Sequence, residues 1–320
     1  MTMFSLSKVL FMNYEKALKY NRSSLIKYKW SPLWFGGKSL DEDLINKIKA
    51  FQKENELKED GFVGPTTYRR ILTEVEAQRL NFKPNKSRKR RIETCLIYNG
   101  KKIPILWKKV RLYTEKTGLR IEAPTYYSYS KEADRGPIQF VNHWDAALTS
   151  ESCAKIINRR KLSMHFCIDN DGTVYQLMDM QDAAWQAGNE FSNRIGLGVE
   201  ISNAFYLKYQ DWYVKNGFGK RPLVEKKTIH GNKSVSKHLG FYDVQIEALA
   251  ALWECVSFAT EVPLEICDVQ GVCKKCQTGE HAGFINHFNL TENKIDCSGL
   301  DMHLVLSKAL ELRNERLNGS

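Results

Sequence analysis

Two of the seven histidines in this chain stand where a metal could be held. His143 follows the apolar run Ile138-Gln-Phe-Val141, which reads as a short strand ending at Asn142-His143-Trp144. A side chain at a strand end can point into a cleft. His287 opens the segment His287-Phe-Asn-Leu-Thr-Glu-Asn-Lys294-Ile-Asp296-Cys297, so one loop carries an imidazole, an ammonium and a carboxylate. Catalytic zinc sites use three protein ligands and leave a fourth position to water. His143, His287 and Asp296 make a candidate set of that kind, and Lys294 is suited to steadying a developing oxyanion. Each residue alone says little, because a lone histidine is more often packed or exposed than a ligand.

The surrounding pattern supplies elements able to position these groups. Cys95–Ile105 reads as a hairpin around Asn99-Gly100. His165–Ile168 and Thr173–Leu177, joined through Asn170-Asp-Gly172, read as a second hairpin, and Ile195–Ile201 as a further strand. Helices are predicted over Cys153–Arg159, through Ile246, Leu249, Leu252, Trp253 and Val256 with Asp243 as N-cap, and through Met302, Val305, Leu306, Ala309 and Leu310 with Asp301 as cap. Strands mixed with helices over this length predict one α/β domain with a central β-sheet. Residues 39–80 differ. Ser39-Leu-Asp-Glu42 has a capping-box pattern, Leu44, Ile48 and Phe51 follow at helical spacing, and Gly64-Pro65 marks a second helix start.

The chain has 320 residues, 42% hydrophobic and 27% charged, with a mean hydropathy of −0.44. That composition suits two packed domains and excludes wholesale disorder. No segment reaches the ~18–20 apolar residues of a membrane helix. Forty-eight Lys and Arg against 37 Asp and Glu give a net charge of +11, which favours an anionic partner. Much of the excess lies in residues 81–94, where Lys83, Lys86, Arg88, Lys89, Arg90 and Arg91 read as a basic linker. That run carries no aromatic interleaving, so specific nucleic-acid binding is not expected. The eight cysteines are too sparse for a disulfide framework. Cys267, Cys273, Cys276 and His281 have spacing that permits a second, structural zinc, but only Cys273-x2-Cys276 is convincing, and reduced loop cysteines are the default reading.

Five motifs then occur in an order that resembles the zinc N-acetylmuramoyl-L-alanine amidases, the family of phage amidase-type lysozymes and peptidoglycan-recognition proteins. They are Phe140-Val-Asn-His143-Trp, Ser163-Met-His165-Phe, Ala184-Trp185-Gln-Ala-Gly188, Ile195-Gly-Leu-Gly-Val-Glu200 and His287…Lys294-x-Asp296. The resemblance covers about residues 138–310 and implies a mixed central sheet flanked by helices. It makes His143, His287 and Asp296 zinc ligands. Glu200 becomes the carboxylate that moves a proton, and Lys294 the group that polarises the scissile carbonyl. It puts His165 near the cleft, in a supporting or substrate-binding role, and Trp185 among the substrate contacts. Three positions depart from the family. Met164 replaces a proton-transferring tyrosine, Gln186 replaces the histidine of the Trp-His pair, and Cys297 replaces a proline. Cys297 is a reserve ligand and His281 a rival to His287.

Residues 39–75 resemble the small helical peptidoglycan-binding domain through Phe51-Gln52, Asp60-Gly61-Phe-Val63-Gly64-Pro65-Thr66-Thr67 and Leu72. The organisation expected is a helical binding domain at 1–80, the linker at 81–94 and the amidase domain at 95–320. Residues 204–240 interrupt the latter with Trp212, Tyr213 and other aromatics among lysines and Arg221, and read either as a wall of the substrate groove or as a packed insertion. The expected function is cleavage of the amide between N-acetylmuramic acid and L-alanine in bacterial peptidoglycan. The expected setting is that of an endolysin made in a host cytoplasm without a signal peptide and acting on the wall after release. The basic linker would hold anionic envelope polymers. A bacterial autolysin, an effector amidase or a non-catalytic recognition protein are the alternatives.

Overall fold

The computed structural model describes residues 3–78, 94–122, 125–129, 133, 135–231 and 233–318, with side chains from residue 14 onward. Contacts divide it into two compact units, Met1–Leu80 and Asn81–Ser320. The linker expected at 81–94 lies outside the described residues apart from Thr94.

The first unit contains three α-helices among its described residues: α1 (Met3–Tyr28), α2 (Glu42–Glu54) and α3 (Pro65–Ala77). Leu44, Ile45, Ile48, Tyr68, Ile71 and Leu72 form its buried centre, with Tyr28 of α1 stacked on Tyr68 at 4.9 Å between ring centroids. Gln52 is buried and explains the Phe51-Gln52…Asp60-Gly61 string. Its Oε1 accepts from the Gly61 N–H (2.8 Å), while its amide donates to Asp60 and to the Phe62 carbonyl (both 3.0 Å). Asn21 of α1 clasps the same turn from the other side, donating to the Gly61 carbonyl and accepting from Val63 N–H. The cap of α2 is not Ser39. Asp41 accepts from Leu44 N–H at 2.9 Å and the Ser39 hydroxyl donates to Asp41, so the helix begins at Glu42.

The second unit is built on a six-stranded sheet. Its strands are β1 (Val110–Leu112), β2 (Gln139–Trp144), β3 (Phe166–Ile168), β4 (Val174–Gln176), β5 (Gly196–Ile201) and β6 (Gly283–Asn286). Their spatial order is β6-β2-β5-β3-β4-β1, parallel at every pairing except the β3–β4 hairpin. The sheet is therefore mixed. The Asn99-Gly100 turn joins a separate small hairpin, Cys95–Tyr98 with Lys101–Pro104.

Alternation along the strands sorts residues onto two faces. One face sends Phe140, Trp144, Phe166, Ile168, Leu197, Val199, Ile201 and Phe284 into the principal core. There they meet α5 (Asp243–Ala259) and α6 (Met302–Asn318), with Trp253 stacked on Phe284 at 4.2 Å. Glu254, fully buried on α5, binds Arg313 and Arg316 of α6 and ties the two helices together. Asp243 is the first residue of α5 rather than its cap. The cap is Tyr242, whose N–H is held by Gln245 Oε1. Asp301 does cap α6, accepting from Leu304 N–H. α4 (Ser150–Arg160) lies by the opposite face, with Cys153 against Cys167 of β3.

Candidate metal centre and catalytic face

The placing of the candidate groups follows from strand register. His143 of β2 is paired with Glu200 of β5, and Asn142 with Asn286 of β6. His287 comes one residue after β6 ends and so is level with His143. His287, His143 and Glu200 form one row across three adjacent parallel strands, at their carboxyl ends. Open α/β sheets place ligands at that edge. Strand β2 runs through His143 to Trp144, past the end of the apolar run at Val141.

Asp296 completes the group from a loop. Its backbone carbonyl accepts from Phe288 N–H at 2.9 Å, folding the loop back onto the turn that carries His287. Asp296 Oδ2 lies 3.1 Å from His143 Nδ1 and 2.9 Å from His287 Nδ1. The three donor atoms lie within 4.8 Å of one another and all three residues are buried. The protonation pattern tests the fit to a cation. Both nitrogens of His143 face acceptors, Asp296 Oδ2 on one side and Gln186 Oε1 on the other. Metal-free, the ring satisfies both only as imidazolium. Burial opposes that charge, yet the Asp296 hydrogen bond and the nearby Glu200 charge outweigh it and raise the His143 pKa. A cation among the donors would relieve the conflict, leaving Nδ1 free to ligate and Nε2–H to donate to Gln186. Burial instead pushes His287 down to about 4, with Lys294 and His143 contributing, so this ring is a neutral donor at ordinary pH. Asp296 is held well below the usual carboxylate range: burial opposes its charge, but both histidines outweigh it. Two neutral imidazoles and a carboxylate suit zinc.

Lys294 is held through its backbone. Its carbonyl lies 2.9 Å from His230 Nε2, a residue that sequence reasoning passed over because nothing in its neighbours marks it. Asp145, two residues past His143, was also missed. It is buried and accepts from Ala147 N–H, Asn203 N–H and the Ser202 hydroxyl, fixing the chain where β2 ends. Burial first, then the Glu200 charge, pushes it up to about 8.

Several expected site residues lie elsewhere. His165 is fully buried. Its Nε2 lies 2.9 Å from the Asp182 carbonyl and its Nδ1 accepts from Gly198 N–H, so no edge remains for substrate. Trp212 and Tyr213 are also buried, and the Tyr213 hydroxyl accepts from Ala204 N–H. Arg221 is sandwiched between the Tyr213 and Tyr242 rings and donates to the Gly240 and Ser202 carbonyls. The 204–240 segment is thus a packed insertion at these positions, because its aromatic and cationic groups are consumed by one another. Trp185 keeps a partly exposed face beside Tyr127. Cys297 is packed in the principal core, and burial pushes its thiol well up, so it does not join the donor group. His281 is not part of that group either.

Two imidazoles at the ends of parallel strands and a loop carboxylate converge into a group that could hold a metal ion, with Glu200 on the neighbouring strand, and such a set suits hydrolytic chemistry. Residues 134–271 match the family model described as N-acetylmuramoyl-L-alanine amidase. That segment of the chain is similar to the family, and the activity the match indicates is that of a peptidoglycan amidase. The match contains His143 and Glu200 and stops before His287 and Asp296, which the geometry brings to His143. Among solved structures, a selenomethionine derivative of AmpD is similar at 16% identity over 61% of this chain and 96% of that one, with a TM-score of 0.34. AmpDh3 from Pseudomonas aeruginosa, in complex with anhydromuramic pentapeptide, is similar at 16% identity over 59% of this chain and 66% of that one, with a TM-score of 0.37. No curated protein matches the sequence.

Proposed function

We propose that the chain hydrolyses the amide between N-acetylmuramic acid and L-alanine with zinc held by His143, His287 and Asp296. The observation that carries this is the convergence of those donors in register with Glu200 on the neighbouring strand. A zinc ion there would acidify a water and polarise the scissile carbonyl. Glu200 takes the proton from the attacking water and returns it to the leaving nitrogen. Met164, where the family has a tyrosine in some members, is buried and offers no proton, so Glu200 carries both transfers. Lys294, held through its backbone by His230, would bring positive charge to the oxyanion.

Digestion of purified sacculi tests this reading. Wild type should release new L-alanine amino termini without new reducing sugars, and Glu200→Ala should release neither. New reducing ends would identify a glycosidase and defeat the proposal. A non-catalytic recognition role is disfavoured because the three donors, Glu200 and Lys294 are all retained.

The setting is also part of the proposal. The Gln52-braced turn of the helical unit supports a wall-binding role for residues 1–80, and the +11 charge supports retention on anionic envelope material. An endolysin acting on the wall after release from a host cytoplasm is consistent with both. Full-length Glu200→Ala should sediment with sacculi, more weakly as salt rises. Free protein at low salt would remove the wall-binding assignment.

A further inference from the structure

A second group of donors lies apart from the catalytic set. Cys267, Cys273 and Cys276 bring their sulfur atoms within 4.8 Å of one another, and none is in a disulfide. Cys267 and Cys276 are buried and Cys273 is half-buried, against an apolar wall of Val141, Ala187, Ile285 and Leu290. Three thiols are poor hydrogen-bond partners for each other and gain little from such convergence unless something binds them. The local backbone holds them together. Cys267 N–H donates to the Phe284 carbonyl of β6. Cys273 caps the short helix Lys274–Thr278, which puts Cys276 one turn along the same face. His281 follows. Its Nε2 is buried and has no hydrogen-bond partner among the described residues.

We propose that Cys267, Cys273 and Cys276 form a structural site for a thiolate-preferring divalent cation of the zinc class, its fourth position open to His281, whose ring nitrogens lie outside the group of mutually close donors in this structure. Three sulfurs, joined by an imidazole once that ring turns toward them, match closed tetrahedral zinc. The site has a mechanical consequence, because the same knuckle clasps the turn that carries His287. Cys273 N–H donates to the Asn289 carbonyl at 2.9 Å, and the Asn289 amide donates to the carbonyls of Val269 (2.7 Å) and Gly271 (2.9 Å). Gln139, at the start of the strand that bears His143, donates to the carbonyls of Cys276 and His281. A cation on the thiolates would therefore brace two catalytic ligands without touching substrate.

Metal stoichiometry of the full-length protein decides this. Wild type should hold two zinc equivalents, and His143→Ala and Cys276→Ser should each hold one. With cobalt in place of zinc, wild type and His143→Ala should show thiolate-to-cobalt charge-transfer absorption, and Cys276→Ser should lose it. His281→Ala should weaken retention of the second ion by about 10–100-fold. An unchanged affinity would remove His281 from the ligand set. Should Cys276→Ser fail to fold, titrating folded wild type with a thiol-specific mercurial should release one zinc. A single equivalent lost with His143→Ala, or an intact mass showing a disulfide among these cysteines, would overturn the proposal.

Discussion

Gln186 Oε1 accepts a hydrogen bond from Nε2 of His143, while the Gln186 amide nitrogen donates to the Leu197 carbonyl at 3.3 Å. The second contact orients the amide, and the first selects the His143 tautomer that leaves Nδ1 available. The position is one where the family has histidine, so the departure read in the sequence turns out to support a ligand. Gln186→Leu should lower zinc affinity by about 10–100-fold, the usual effect of removing a partner that orients a ligand. Competition with a chelating dye measures it, and Gln186→Glu, which keeps the acceptor, should retain most of the affinity.

Gly198 makes room for that glutamine. A Cβ on residue 198 would lie 2.8 Å from Gln186 Oε1 and 3.0 Å from the Met164 sulfur. Gly198→Ala should therefore weaken zinc binding in the same direction as Gln186→Leu. Combining the two should cost less than the sum, because both act through one contact.

Tyr213 and Trp212 support the fold of the insertion. Tyr213→Ala should destabilise the protein by about 3–5 kcal/mol, the usual range for deleting a large buried ring. Denaturant unfolding measures the loss. The fraction that remains folded should keep the wild-type KM, whereas a raised KM would return these rings to the substrate groove.

His165 should make stability fall in acid. Burial holds its folded pKa down at about 3, against 6.5 for the free side chain. The unfolded chain therefore binds the proton first, and stability is lost as pH falls from 6.5 toward 3. This group alone should remove about 2 kcal/mol between about pH 7 and about pH 5. His165→Gln, which keeps a donor and an acceptor, should lack that increment in a paired denaturation series. Identical slopes for the two proteins would refute it.

By itself the sequence named the candidate donors and the general architecture. Motif order marked His143, His287, Asp296, Glu200 and Lys294 as candidates, and the period of apolar residues placed the central strands and long helices of the second unit within a few residues, but not α1, β1 or β6. That information is local, carried by residue type and short spacing. Only the tertiary structure decided which marked residues meet. His143 and Asp296 are 153 positions apart and converge because β6, β2 and β5 lie side by side in parallel register. His165, Trp212 and Tyr213 look like binding residues in one dimension and prove to be interior, since burial depends on what packs from distant segments. The same reason brings Cys267 to Cys273 and Cys276: their spacing permitted a site, but the sheet edge at β6 and the turn after His287 set the three sulfurs together.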